Sequence, residues 1–362
     1  LPADDKPSTI TRSTAVLLFL ERARQLDPSF ALMPANQTQV AHICRLVHGM
    51  PLAIELAASW IRILPPAEIV AEIERSLDFL ELAGRDATQR HRSLRAVFDY
   101  SWALLTLEEQ DVLARLAVFR GGCSREAAKA VAHASSPLLA ALVDKSLIRR
   151  AENVTGTSRL ELHELVRQFA EERLREAGKM EQTRTAHLTW MLELAEELQD
   201  KILTADGLSA VTTLEAEQGN LRHALVWAIE QKYIEAGLRL AGALKRFWFH
   251  QGYLTEGRDW YGKVLHNAEA APPSLVKARA LYAAGDLARW QGDYAEAITL
   301  LEASTQVYDA LDEPIGTARS NLVLAGIALI HQKWTRATAL CEESLATFRS
   351  FGDDRGVSQA LN

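Results

Sequence analysis

A chain of 362 residues with 48% hydrophobic and 24% charged side chains has ordinary globular composition, and its length predicts about two or three domains. A net charge of −7 and a pI of ≈ 5.9 exclude a broad basic nucleic-acid footprint, though not a local basic face. Cys44, Cys123 and Cys341 are scattered and form no CxxC pair, which excludes a disulfide framework and fits a reducing compartment.

No apolar run reaches the roughly 18 residues that a membrane span needs. The first residues show no signal-peptide pattern and no methionine, and the last run out inside a helical period. The expectation is an internal piece of a longer cytoplasmic protein with no membrane partner.

In chain order, residues 13–26 repeat Val16, Leu17, Phe19, Leu20 and Ala23 at helical spacing, with Ser13 placed to cap. Residues 36–47 form a second predicted helix that stops at His48-Gly49. Pro51 opens a third over 51–64, and Pro65-Pro66 ends it before a restart over 67–75. Residues 1–84 are thus expected to form one helical domain. The polar, basic stretch 84–92 reads as a linker.

Residues 93–105 are helical, and Thr106 with Glu109 is a capping box for a helix over 107–117. Gly121-Gly122 breaks the chain. Ser124 and Ser136 are expected to cap two short helices, ending near His133 and Lys145. Then comes the one β signal, strands at 146–150 and 159–163 around a turn-rich 153–158, followed by a helix over 164–176. Helices, a hairpin and a helix predict a winged-helix domain over 85–178.

Beyond Lys179 only helical period is visible, read as a connector over 179–234 and repeats over 235–362. The segment 282–288 with Gln291-Gly292-Asp293-Tyr294 recurs forty residues on as 322–328 with Gln332-Lys333-Trp334. A weaker copy contains Gln251-Gly252-Tyr253. Gly316 and Gly356 read as the ends of two units. One helix hairpin cannot bury its apolar face alone, so the copies must stack into a solenoid. The pattern resembles tetratricopeptide repeats, with a spacing longer than the usual ~34 residues. The fold class is therefore all-α with one small β-hairpin: a helical bundle, a winged helix and an α-solenoid.

The chain lacks GxxxxGK[ST], HExxH and GxSxG, so no phosphate loop, zinc-protease helix or serine elbow is encoded. No catalytic residue, no metal site and no enzyme activity are expected, and no cofactor of this chain alone.

Two segments carry a family resemblance. Gly49-Met50-Pro51-Leu52-Ala53 resembles the GLPLA segment, and Leu162-His163-Glu164 the MHD motif, of the nucleotide-binding module in signal-transduction ATPases with numerous domains. That module is shared by plant disease-resistance proteins, apoptotic protease-activating factors and bacterial regulators. The intervening segments 107–110, 116–122 and 144–148 are similar to the bacterial branch. The resemblance spans about residues 13–178. Leu162 and Glu164 stand where the motif has Met and Asp.

The resemblance implies that Gly49, Pro51 and Leu52 lie against the adenine of ADP or ATP, and that His163 reaches the β-phosphate of ADP. It also implies that the P-loop subdomain, a missing partner within the same protein, precedes Leu1. The leading expectation is a regulatory and sensing fragment. The first two domains would follow nucleotide state, and the repeats would receive a protein or small-molecule ligand, with oligomerisation on activation. The second expectation is a DNA-binding winged-helix regulator with a repeat sensor. Residues 85–177 carry 15 Lys+Arg and 13 Asp+Glu, and the third helix of the winged helix is apolar, which argues against direct DNA binding. The third is a plain repeat scaffold in which Trp248, Trp260, Tyr261, Trp290, Tyr294 and Trp334 are core residues only.

Overall fold

The structure, a computed structural model, describes residues 2, 7–82, 89–152 and 158–361. Most of the expected 84–92 linker and nearly all of the 153–158 turn lie outside the described residues. The chain divides into two compact units, Leu1–Thr183 and Arg184–Asn362.

The first unit begins with α1 (Pro7–Ile10), α2 (Thr14–Leu26), α3 (Gln37–Leu46) and α4 (Pro51–Ser59), the last extended by a 3-10 turn at Trp60–Arg62. Next are α5 (Pro66–Leu82) and α6 (Gln89–Ala103), so the second helix begins inside the expected linker. Val16, Phe19 and Ala23 of α2 and Ala53, Ile54, Leu56 and Ala57 of α4 are fully buried, the apolar stripe that a 3.6-residue period lays along one face. Ser13 does not cap α2. Among the described residues its buried Oγ has no partner, and the helix starts on backbone bonds alone. Trp60 ties α4 to α6 by donating from Nε1 to Ser101 Oγ at 3.1 Å, with its ring 4.4 Å from that of Tyr100.

The winged helix follows as α7 (Leu107–Leu116), α8 (Arg125–Ala132), α9 (Ser136–Asp144), strands β1 (Arg149–Glu152) and β2 (Ser158–Glu161), and α10 (Glu164–Glu176). The Thr106–Glu109 capping box forms in both directions, and Ser124 caps α8. The cap of α9 is Ser135 rather than Ser136, because Ser135 keeps the extended backbone from which a side chain can reach the Leu138 N–H. The first strand starts at Arg149, three residues later than expected, since Ser146 sits in a left-handed turn at φ 58°.

β1 and β2 pair antiparallel from Arg149↔Glu161 to Glu152↔Ser158, and Cys123 bridges the outer side of β2 at Leu160. That bridge is why the break needs glycine. Gly122 stands at φ 81°, and a Cβ there would lie 2.5 Å from Leu160 O.

The second unit contains α11 (Met180–Lys201), which begins just before it, then α12 (Gly207–Ala216) and α13 (Gln218–Glu230). Three helix hairpins follow: α14 (Ile234–His250) with α15 (Leu254–Asn267), α16 (Leu275–Trp290) with α17 (Tyr294–Ala310), and α18 (Pro314–Ile330) with α19 (Trp334–Phe351). A last helix, α20 (Asp354–Leu361), lies against α19.

The forty-residue period is visible atom by atom. Ser304 Oγ donates to Ala278 O at 2.9 Å, and Ser344 Oγ donates to Ala318 O at 3.0 Å. Gly316 and Gly356 do not close units. They lie in the first turns of α18 and α20, where a Cβ would fall within 2.4 Å of the Tyr308 and Phe348 rings, so each is the notch that seats the preceding helix's aromatic. Trp248, Trp260 and Tyr261 are core residues, whereas Trp290 and Trp334 are exposed.

Candidate functional site

The turn from α3 to α4 carries the first group of expected site residues. His48 and Gly49 are left-handed at φ 51° and 67°, and the Gly49 N–H bonds back to Cys44 O at 2.9 Å. The chain is thereby turned so that Pro51 opens α4, its missing N–H falling where none is needed. Pro51 is exposed, Gly49 and Leu52 are half-buried, and Ala53 and Ile54 anchor the helix below.

His163 sits on a different element, at the N-cap of α10. It is exposed, and its Nδ1 accepts the Leu165 N–H at 3.3 Å. An imidazole accepting at Nδ1 carries its proton on Nε2 when neutral, so a donor faces outward at a helix N-terminus. Glu164 leaves that donor alone. It accepts from Arg167 at 2.7 and 2.8 Å and from Gln168 at 2.9 Å. Those Arg167 bonds outweigh desolvation and hold the Glu164 carboxyl down at about 2.

The third helix of the winged helix has an occupied end. Arg22 of α2 reaches α9, donating to Val143 O at 3.0 Å, Asp144 O at 2.9 Å and Ser146 Oγ at 2.6 Å. A cation on the terminal carbonyls of a helix satisfies groups that lack intrahelical partners and opposes the negative end of the dipole. On α9 Leu139 and Leu142 are buried, and the exposed residues are Ser136, Pro137, Ala140 and Asp144. None is a cation able to meet a phosphate. Several cations of the domain are paired elsewhere: Lys145 on Glu109 at 2.7 Å, Arg173 on Asp99, and Arg149 on Glu161. Arg150, exposed on β1, and Lys129, exposed on α8, have no ion-pair partner among the described residues.

The second unit holds a concave groove of ≈ 850 Å³ whose lining comes from α11, α14, α16, α18 and α20. Among the described residues, seven lysine and arginine side chains line it against two carboxylates, Glu196 and Asp286. Arg239 forks onto Glu196 at 2.7 and 2.8 Å, while Asp286 takes both Lys245 at 2.8 Å and Arg289 at 2.9 Å. Burial pushes the Asp286 carboxyl up, but Lys245 and Arg289 overcome this and leave it below the usual carboxylate range. At one end, the half-exposed rings of Phe249 and Trp290 meet edge to face at 5.0 Å.

Sequence reasoning missed Arg22 and this groove. Apart from a local bond to Gln25, the partners of Arg22 are more than 120 residues away, so nothing in the local sequence marks it. The groove had a legible signal, because Arg239, Arg279 and Arg319 recur at forty-residue intervals and Gln359 holds the next such position.

Comparison with known proteins places residues 105–175 in the winged helix-turn-helix domain family. The chain is 35% identical over 320 residues to a Mycobacterium tuberculosis protein named as an HTH-type transcriptional regulator, covering 86% of this chain and 36% of that one. The Mycobacterium bovis counterpart matches equally. The chain thus spans about a third of the length of these curated relatives. An uncharacterised M. tuberculosis protein is 36% identical over 181 residues, 48% of this chain and 46% of its own length. Among solved structures, a signal-transduction ATPase with numerous domains and a tetratricopeptide repeat sensor, from Pyrococcus horikoshii, aligns over 95% of this chain and 61% of its own. Its identity is 13% and its TM-score 0.32. No helix among the described residues is long and apolar enough to cross a membrane.

Proposed function

We propose that this chain is the regulatory and sensing part of a nucleotide-switched transcriptional regulator. Helices α1–α6 and the winged helix follow the ADP or ATP state of a P-loop subdomain elsewhere in the protein, and the repeats receive the ligand that shifts that state. The chain performs no hydrolysis itself. Its partners are that subdomain, a ligand in the repeats and, after activation, further copies of the protein. Gly49, Pro51 and Leu52 contribute to the adenine side of the pocket, and His163 to its phosphate side.

The observation that carries this reading is the Arg22 contact with α9. It ties the helical bundle to the winged helix through the very helix that would otherwise read DNA, so the winged helix serves as a packing module that moves with the bundle. A ligand that binds the open arrangement better than the closed one can then shift the population. The test is ADP retention by the full-length protein. Arg22→Ala should speed ADP release, and an unchanged release rate would remove the coupling role.

A second reading is favoured by the winged helix-turn-helix match and by the relatives' names: a winged helix that contacts DNA directly. The exposed face of α9 carries no cation, which weighs against it. A sequence-specific shift of duplex DNA that survives physiological salt would reverse the order of the two.

A further inference from the structure

The cations that line the groove of the repeats are ordered. Arg239, Arg279 and Arg319 occupy equivalent positions on α14, α16 and α18, one per repeat, and all three line the same cavity. Ladder neighbours differ in how they are engaged. Arg239 is bound to Glu196, and Arg319 donates to Asp353 at 3.0 Å. Arg279 is exposed and, among the described residues, has no hydrogen-bond or ion-pair partner. The same holds for Arg355 of α20, which lines the groove from its far side.

The Lys245 ammonium lies 4.7 Å from the centre of the Tyr282 ring, and the charges of Arg319, Arg289 and Arg355 act on the same phenol against that of Asp286. Burial, with Asp286 beside it, pushes the Tyr282 phenol up to about 12, so this lining residue keeps a neutral hydroxyl. Of the seven cations, Arg239, Lys245, Arg246, Arg289 and Arg319 are ion-paired, so among the described residues Arg279 and Arg355 leave a local positive charge in a chain whose net charge is −7.

We propose that the groove binds a compact polyanion, a small molecule bearing two or more phosphate or carboxylate charges, gripped by Arg279 and Arg355 with Arg319 beside them. The two unengaged guanidinium groups offer the planar fork that matches either anion. The cavity volume lies within the range of about 300–1,000 Å³ typical of small-ligand sites. The Phe249–Trp290 pair gives an apolar surface for an uncharged part of the same molecule. A long polyanion such as nucleic acid is disfavoured, since the carboxylates interrupt the cationic track and the whole chain is acidic. This inference supplies the ligand class for the sensor role proposed above and rests on that role for its consequence, not for binding.

The test is calorimetric titration of the whole chain with pyrophosphate, citrate, an acidic peptide and a neutral sugar. Pyrophosphate or citrate should saturate one site, with affinity falling as salt rises, and the stronger of the two tells phosphate from carboxylate recognition. Arg279→Gln and Arg355→Gln should each weaken binding about tenfold or more, with melting temperature unchanged because neither side chain is engaged in the fold. Arg279→Lys should restore part of the affinity. Absence of binding by both anions at millimolar concentration, saturation by the acidic peptide alone, or equal binding by the glutamine variants would overturn the site. ADP release from the full-length protein under saturating anion separates the two ideas. Binding without any change in release contradicts the sensor role and leaves the site standing.

Discussion

The Arg22 guanidinium donates from Nε to Ser146 Oγ at 2.6 Å, while its NH2 group caps the last carbonyls of α9. One side chain of the helical bundle thus closes a helix of the winged domain more than 120 residues away. Arg22 is partly buried; desolvation lowers its pKa even with Glu55 and Asp144 nearby. Arg22→Ala should therefore cost more than a surface arginine would, about 2 kcal/mol, because carbonyls and a hydroxyl lose their donors together. Urea unfolding at neutral pH measures this, and a loss no larger than that of an exposed control such as Arg125→Ala would refute it.

Glu109 gives a pH signature. Burial pushes its carboxyl up, but hydrogen bonds from Lys145 and from the Thr106 N–H, with the Lys145 charge, hold it below the usual carboxylate range. A carboxyl whose folded pKa is depressed stabilises the fold above its unfolded value of about 4.3, and that contribution is lost as pH falls through the folded value. Glu109→Gln should therefore destabilise the chain by about 2 kcal/mol at pH 7, with the difference from wild type shrinking below about pH 4. A difference that stays constant over that range would contradict the assignment.

The notches at Gly316 and Gly356 predict a local steric effect. A methyl group on Gly316 would fall 2.3 Å from Tyr308 Cδ1, so Gly316→Ala should destabilise the repeats by about 1–3 kcal/mol. Combining it with Tyr308→Leu should return part of that loss, since the ring is what the methyl meets. Additive losses in thermal melts would show that the glycine serves another purpose.

Much of this was legible in sequence, for identifiable reasons. The helices, the hairpin and the stacked repeats followed from apolar period, and the Thr106–Glu109 box forms because both of its residues are local. Errors arose where a partner decides the outcome. Ser135 and Ser136 are adjacent and chemically alike, so only the backbone turn chooses between them as the cap of α9. Gly316 and Gly356 read as chain breaks because the Tyr308 and Phe348 rings that require them are eight residues earlier in sequence. Trp290 and Trp334 recur beside the turns; Trp290, half exposed, packs against Phe249, whereas Trp334 faces outward. For Gly49, Pro51, Leu52 and His163, the sequence offered a resemblance and the structure gives their surroundings: an exposed helix start and an outward-facing imidazole. Arg22 carries no sequence mark at all, because its role is set wholly by long-range packing.

DNA binding gives a further prediction. With no cation on the exposed face of α9 and its C-terminal carbonyls capped by Arg22, the chain should bind duplex DNA weakly, without sequence preference, and lose it on raising salt. Arg150→Ala, which removes an exposed cation of the hairpin, should reduce whatever binding remains. A salt-resistant complex with one sequence, measured by fluorescence anisotropy, would assign the winged helix to DNA instead.

The central claim is that this chain senses nucleotide state, and His163 tests it most directly. Its Nδ1 is occupied by the Leu165 N–H, leaving Nε2–H as the donor at the start of α10. A hydrogen bond to a charged phosphate is worth roughly 1.5–3 kcal/mol, so His163→Ala in the full-length protein should weaken ADP about ten- to a hundredfold. The measurement is ADP affinity by calorimetry, with melting temperature of the nucleotide-free protein recorded alongside. Weakened ADP binding, alongside the small loss of melting temperature that removing the cap of α10 brings, is the predicted result; unchanged ADP affinity with a lowered melting temperature would reduce His163 to a helix cap and contradict the account.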